Sequence, residues 1–508
     1  MYQVSMKKTL TFIAALAMAL QIHGAAPVKS GLQRLLDSLS SAQPLSEAVW
    51  GACAMRQDGR AVASFNSTMK MIPASNLKIV TTGAAFKALG AGFRFETSVG
   101  YSGSVEDGTL DGDVYIIGGG DPTLGSEDTI SLARSVVLRR MKDMLAGAGI
   151  SRITGHVVGD GRFFDGERES GSWLYEDIGT YYGTGGEGLS YYKNTQDFQV
   201  TAGKSVGDSL TIKTVYPFTP WMEWYISCNT GKAGTGDMLY LYTSDLAPIG
   251  ELRGTFAVDR APKTLKCSNK YPAYTLANTL TSYLRKSGIE VEGGPADIDR
   301  KGRIRTDLRT GSTSGEAVPA VDLKILGTVR SPELARIASV TNKESDNFYA
   351  ETLLRMIGKK ASGSASYEAS LAAEEDVFKS LGINSTDGYS ISDGSGLSRK
   401  NYISPRFMCN FLRAMLSDPC FPDFVNSLGQ PGSVYKTRLR NATPQQRERV
   451  YMKSGSMNGV LCFSGYVIPE DGGKEDVIAF SFMTNNAPGA SWKIGTLIDG
   501  FILALLEL

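Results

Sequence analysis

Residues 451–485 read YMKSGSMNGVLCFSGYVIPEDGGKEDVIAFSFMTN: apolar and polar positions alternate, a turn signal falls at Asp471-Gly472-Gly473, and alternation resumes. That is the pattern of a β-hairpin. Residues 48–67, AVWGACAMRQDGRAVASFNS, repeat it around Asp58-Gly59 near the other end of the chain. Each hairpin has a helix beside it. SGLQRLLDSLSSA sets Leu32, Leu35, Leu36 and Leu39 on one face, and SWKIGTLIDGFILALLEL closes the sequence. The reading is one antiparallel sheet built from both chain ends, flanked by helices. Whatever lies between must be inserted into it.

The middle changes character accordingly. From about Phe95 to Val321 the chain is rich in glycine, turns and short strands, and from Ser331 helices return in SPELARIASV, DNFYAETLLRMIG, ASYEASLAAEEDVFKSLG and SPRFMCNFLRAML. With 508 residues, two or three domains are expected. The reading is an α/β domain split by a long β-rich insert.

Charge and composition exclude several functions. There are 53 Lys and Arg against 52 Asp and Glu, a net charge of +1, and no long run of one sign, so neither nucleic acid nor an anionic surface is expected as a partner. Lys7 and Lys8, the apolar stretch Thr9–Leu20 and small residues at 24–26 have the layout of a signal peptide over 1–24, too short in its apolar part for a stable membrane span. An exported chain is expected. Its cysteines, Cys53, Cys228, Cys267, Cys409, Cys420 and Cys462, are too few for a disulfide framework at this length; Cys53 and Cys462 read as buried thiols, and a Cys409–Cys420 pair is open. Only His23 and His156 are present, and His156 lies in the apolar strand pattern RITGHVVGD. A histidine-rich metal site is excluded, and a His-based triad would have to rest on one structural-looking residue.

Chemistry without histidine is available in MIPASNLKIVTTGAAFKALG, residues 71–90. Ser75 and Lys78, at i and i+3 of a helix that begins after Pro73, share a face. Free N–H groups and the positive end of the helix dipole favour negative charge developing there. Lys78 as a base needs a depressed pKa, since at about 10.4 only a few lysines in ten thousand are neutral at pH 7. Burial and a second cation would supply the depression. Ser67–Lys70 has the same spacing but is cut off by Pro73. Two further stretches supply partners: Ser345-Asp346-Asn347 in the turn before a helix, and Lys453-Ser454-Gly455 opening the C-terminal hairpin, where Gly455 permits close approach of a backbone. Lys286-Ser287-Gly288 ends a helix and reads as its cap.

Ser-x-x-Lys, Ser-x-Asn and Lys-Ser-Gly in this order resemble the serine penicillin-binding proteins and β-lactamases. The separation of about 270 residues between Ser75 and Ser345, with GGGDPTL, GDGRFFDGE and SDGSGLSRKNYISP, is closer still to the D-alanyl-D-alanine carboxypeptidase/endopeptidases of the class C low-molecular-mass penicillin-binding group. The resemblance implies a β-lactamase/transpeptidase-like α/β domain over 25–95 and 322–508, an insert over 96–165 and 260–321 with a second β-rich domain, 166–259, nested inside it, no cofactor and no metal. It implies peptidoglycan stem peptides and β-lactams as partners, and a periplasmic or cell-envelope location. It makes Ser75 the acylated nucleophile and Lys78 its base, with Ser345 and Asn347 relaying a proton and holding the acyl side. Lys453, Ser454 and Ser456 would bind the terminal carboxylate, and the N–H groups of Ser75 and Ser456 would form the oxyanion hole. Other readings are a β-lactam or muropeptide sensor with little turnover, and a β-lactamase, for which no E-x-x-L-N-like deacylating stretch is found. Two charges are expected to read the third stem residue: Asp160 its side-chain amine, Arg399 a carboxylate.

Overall fold

The computed structural model describes residues 30–313, 323–384, 388–470 and 473–508. The 1–24 leader and the Asp471-Gly472 part of the hairpin turn lie outside them.

Strand alternation at the two ends produces a five-stranded antiparallel sheet in the order Ala61–Phe65, Val49–Met55, Ile478–Asn485, Val460–Val467, Val450–Met457. Trp50 pairs with Thr484 and Lys453 with Ser464, so the chain ends zip together in register. One face is covered by the terminal helices Gly31–Leu39 and Ser491–Leu506, whose Leu32, Leu36, Ile498 and Phe501 pack on Trp50, Phe480 and Phe482. Asp499, the acid inside the last helix, lies near Arg438, and no helix among the described residues is long and apolar enough to cross a membrane. The other face carries the helices Lys78–Leu89, Leu334–Lys343, Asn347–Ser362 and Pro405–Met415 around a second core. The fold class is the expected one.

The insert leaves this domain after Phe95. Its seven-stranded mixed sheet has the parallel trio Val114–Ile117, His156–Asp160 and Gly294–Ile298 at its centre. Helices Arg134–Gly147 and Pro272–Lys286 pack on that sheet. Within it are nested two three-stranded sheets, Thr195–Thr201 with its neighbours Thr211–Tyr216 and Lys263–Ser268, and Ile249–Ala257 between Glu223–Gly231 and Asp237–Thr243. Phe198, Leu241, Leu252 and Cys267 join them into one core.

Sheet membership shifts three expected boundaries. Lys324–Arg330 pairs with Glu96–Tyr101, so the insert's sheet runs past 321 to 330. Lys263–Ser268 belongs to the nested sheets, not to the outer insert. Residues 166–194 precede the nested strands and turn towards the α/β domain: Trp173 Nε1 donates to Asp393 at 2.9 Å and Ser172 to Ser398 at 2.7 Å. Short strands and loops carry no periodicity that would have assigned them from sequence.

All the described cysteines are free. Cys409 lies 3.4 Å from the Cys53 carbonyl, against the sheet, whereas Cys420 faces the Phe86 carbonyl, so a Cys409–Cys420 bond does not form.

Candidate active site

Ala74, with φ of 48°, turns the chain into a short 3-10 segment, Ala74–Leu77, which runs directly into the helix Lys78–Leu89. A non-glycine residue in the left-handed region is costly and is retained where surrounding structure demands it. Here it presents Ser75 to a cleft of about 740 Å³ while Lys78 is fully buried beneath it. Lys78 Nζ lies 2.8 Å from Ser75 Oγ, 2.6 Å from Asn347 Oδ1 and 2.7 Å from the Ser395 carbonyl oxygen. An ammonium has three donors, and all three are used. Losing one proton leaves a lone pair on the nitrogen that faces Ser75.

Burial lowers the Lys78 pKa to about 8, against the opposing charges of Asp393, Glu351 and Asp346. At pH 7 about one molecule in ten then carries the neutral amine, a gain of roughly two hundredfold over an ordinary lysine. Lys453 is also buried, and burial followed by the charge of Lys78 pushes its pKa well down. Its Nζ is 3.0 Å from Ser345 Oγ and 2.7 Å from the Ser454 carbonyl. Lys453 thus faces the same site, but the depression of the Lys78 pKa comes from burial.

The Ser-x-Asn turn divides its labour. Asp346 is the cap of the helix Asn347–Ser362, accepting from Tyr349 N at 2.9 Å, and this leaves Ser345 and Asn347 to face the two lysines. Ser345 has φ of 61°, a second strained residue at the same place. Asn347 Nδ2 donates to the Tyr182 carbonyl at 2.9 Å, which fixes its Oδ1 on Lys78.

The third stretch lies on the edge strand Val450–Met457, with Ser454 and Ser456 both lining the cleft. Gly396, at φ of 81°, approaches the Ser75 turn from the other side, and a Cβ there would lie 1.9 Å from the Ala74 carbonyl oxygen. Buried Asn76 ties the turn to this strand: Nδ2 donates to the Lys453 carbonyl at 2.6 Å, and Oδ1 accepts from Ser464 at 2.7 Å. The variable position of Ser-x-x-Lys gave no sequence signal for that role.

Arg399 lines the cleft, but Asp160 does not. Asp160 is buried at the end of its strand, where Arg162 clamps it through two side-chain bonds of 2.9 and 2.7 Å and a backbone bond of 3.0 Å. A carboxylate so satisfied has no reach for a ligand, and the expected amine contact at Asp160 is withdrawn. The acid beside Arg399 is Asp177, whose pKa burial raises, with the Tyr182 hydroxyl and the Arg399 charge acting against the rise. Asp177 falls in the irregular segment WLYEDIG, where an acid resembles any other turn acid.

The remaining residues singled out in the sequence lie elsewhere. Ser67 is bonded to Arg406, His156 begins a strand of the insert, and Lys286 ends its helix before Gly288 at φ of 86°.

Comparison with known proteins gives the family. Residues 32–501 match the model of the D-Ala-D-Ala carboxypeptidase 3 (S13) family. A D-alanyl-D-alanine carboxypeptidase of Actinomadura sp. strain R39 is 28% identical over 491 residues, covering 90% of this chain and 81% of that protein. The D-alanyl-D-alanine carboxypeptidase DacB of Haemophilus influenzae is 23% identical, covering 82% of each. The crystal structure of penicillin binding protein 4 from Haemophilus influenzae superposes with a TM-score of 0.74 at 21% identity, over 94% of this chain and 99% of that one. The chain belongs to the D-Ala-D-Ala carboxypeptidase 3 (S13) family and is a serine-type D-Ala-D-Ala carboxypeptidase.

Proposed function

We propose that this carboxypeptidase works through an acyl-enzyme on Ser75, trims the terminal D-alanine from peptidoglycan stem peptides, cuts their cross-links, and is acylated by β-lactams at the same serine. The observation that carries the reading is Lys78 Nζ, held at once by Ser75, Asn347 and the Ser395 carbonyl. Neutral Lys78 takes the Ser75 hydroxyl proton as Oγ attacks the carbonyl carbon of the scissile amide. The tetrahedral oxyanion is stabilised by the backbone N–H groups of Ser75 and Ser456, a contribution of about a hundredfold or more per donor. Collapse breaks the C–N bond. The proton taken up by Lys78 is passed by way of Ser345, which Lys453 holds in place, to the departing amine, and Lys78 is neutral again. Water then attacks the ester, giving a proton to Lys78, which hands it to Ser75 Oγ as the C–O bond breaks, so that both groups return to their starting forms.

The substrate's terminal carboxylate is taken by Lys453 with the hydroxyls of Ser454 and Ser456. Asp177 and Arg399 read a charged third stem residue, Asp177 replacing Asp160 in that role. Export to the periplasm or cell envelope follows from the layout of residues 1–24 and from the location of the substrate. A penicillin binding protein 4 of similar fold has been solved with a bound β-lactam, which supports acylation here.

Mass analysis of pentapeptide and cross-linked muropeptides incubated with the enzyme tests the reading. Loss of one D-alanine and cleavage of cross-links are expected, with neither in Ser75→Ala. A penicillin adduct on Ser75 without peptide turnover would point instead to a sensor, and an adduct on Ser67 would overturn the assignment.

A further inference from the structure

Three consecutive residues of the insert, Tyr192, Lys193 and Asn194, have φ of 55°, 54° and 52°. Such a run is expensive for residues with side chains, and it projects Lys193 out of the insert into the catalytic cleft. There Lys193 Nζ is 2.8 Å from Asp346 Oδ2, 3.2 Å from Asp128 Oδ2 and 4.6 Å from the centroid of the Tyr349 ring. Asp128 is itself bonded by the hydroxyls of Ser131 and Tyr349. The cation therefore closes a network that begins in the insert and ends on the first turn of the helix Asn347–Ser362. Burial opposes its charge, but the Asp346 and Asp128 carboxylates outweigh burial and raise the pKa of Lys193.

Asp346 stands between Ser345 and Asn347, the residues in contact with Lys453 and Lys78. Its own carboxylate is one of three that act on Lys78, with Asp393 and Glu351; Lys453, whose pKa burial and Lys78 push down, also faces the site. Asp393 is satisfied by Trp173, Asn401 and the N–H groups of Gly396 and Ser398, and Glu351 by Tyr367 and the N–H groups of Gly394 and Ser395. Asp346 has its helix cap and Lys193. An unpaired Asp346 would both loosen the Ser345–Asn347 turn and add negative potential at Lys78, favouring the ammonium.

We propose that Lys193 is a positioning residue of the hydrolysis, a cation lent by the insert that fixes the Ser345–Asn347 turn and masks the Asp346 charge from Lys78. The inference rests on the reading of Lys78 as the base of Ser75. It gives part of the insert a catalytic reason for being there: the segment that precedes the nested strands completes a site whose reacting groups all come from the other domain.

The test compares full-length enzyme with Lys193→Met, Lys193→Arg, Asp346→Asn and the Lys193→Met/Asp346→Asn double variant on a D-Ala-D-Ala-terminated peptide from about pH 6 to 10. In Lys193→Met, kcat falls about tenfold or more with KM within about threefold, and the acid limb of kcat/KM moves up by about half a pH unit or more. Lys193→Arg restores kcat to within about threefold. The double variant returns the acid limb to its original position, because Asn347's neighbour is then neutral but still able to cap the helix. A folded Lys193→Met enzyme with unchanged kcat and acid limb overturns the proposal, as does a loss confined to KM, which would make Lys193 a substrate contact. If Lys193→Met does not fold, the proposal is decided by Asp346→Asn, whose acid limb must then move down. Penicillin labelling of the unaltered enzyme separates the two levels: absence of a Ser75 adduct sinks the underlying mechanism, whereas an adduct with an indifferent Lys193 sinks only this inference.

Discussion

Gly455 and Pro73 touch backbone to backbone: a Cβ added at Gly455 would stand 2.2 Å from the Pro73 carbonyl oxygen and 2.5 Å from Asn76 N. No side-chain rearrangement relieves that contact. Gly455→Ala must part the edge strand from the nucleophile turn, lengthening the Asn76–Lys453 bond and separating the two lysines. Penicillin acylation should slow by about a hundredfold or more while melting changes by only about 1–3 kcal/mol. Stopped-flow acylation beside a thermal melt checks this, and acylation within about threefold of the original enzyme would mean that the contact is not needed.

With Lys78 as the proposed base of Ser75, activity should depend on pH in a definable direction. Its pKa is lowered to about 8, chiefly by burial, so the competent neutral form is lost as pH falls through that value. The acylation rate should drop about tenfold per unit below about pH 8 and level off above it, until a second group intervenes. A limb centred near 10 would show an ordinary lysine, and the base would have to be sought elsewhere.

Specificity separates Asp177 from Asp160. Asp177→Asn should lower turnover of stem peptides with a free side-chain amine at the third residue by about tenfold and leave penicillin acylation nearly unchanged. Asp160→Ala should instead lower thermal stability, because it strands Arg162 at the end of its strand, and affect both reactions alike. If the two variants exchange these behaviours in steady-state assays, the cleft has been misread.

Glu374 is a buried acid with one carboxyl oxygen, Oε1, lacking a partner, behind the pair Glu351 and Asp393. Burial raises its pKa from 4.5 to about 8, with those two charges adding to the rise. Its folded form therefore keeps a proton that the unfolded chain gives up above about pH 4.5, so stability declines as pH rises from there towards 8. Glu374→Gln should remove this slope, matching the original enzyme near pH 4 and exceeding it by about 1–3 kcal/mol at pH 8 or above. Denaturant melts at the two pH values measure it; a Gln variant that is less stable at high pH would show that the carboxylate is used.

The sequence disclosed what depends on short-range pattern. Alternation in 48–67 and 451–485 marks a sheet, and Ser75, Lys78, Ser345, Asn347, Lys453 and Gly455 lie in stretches whose residue types are chemically unusual together. It was silent where a role comes from the surroundings. Asp160, flanked by aromatics, and Asp177, in a plain loop, differ in what their neighbours leave free: Arg162 occupies one, and the other opens on Arg399. Lys193 lies between YY and N without a motif, and only the left-handed turn and the arrival of Asp346 from far along the chain make it part of the site. Boundaries near 263–268 and 324–330 were missed because a strand does not announce which sheet it will join.

Joining the two chain ends in one sheet has a temporal consequence. Asn76 meets Lys453 across 377 positions and Lys78 meets Asn347 across 269. Contacts so distant in sequence form late, since the intervening loop must be closed before either is rewarded. The serine is synthesised early, yet it stays an ordinary hydroxyl, next to a lysine with no reason to give up its proton, until the last strands dock. A chain that lacks its last strands lacks the Lys453 contact of Asn76 and should be inactive, which an assay of a C-terminally truncated enzyme checks.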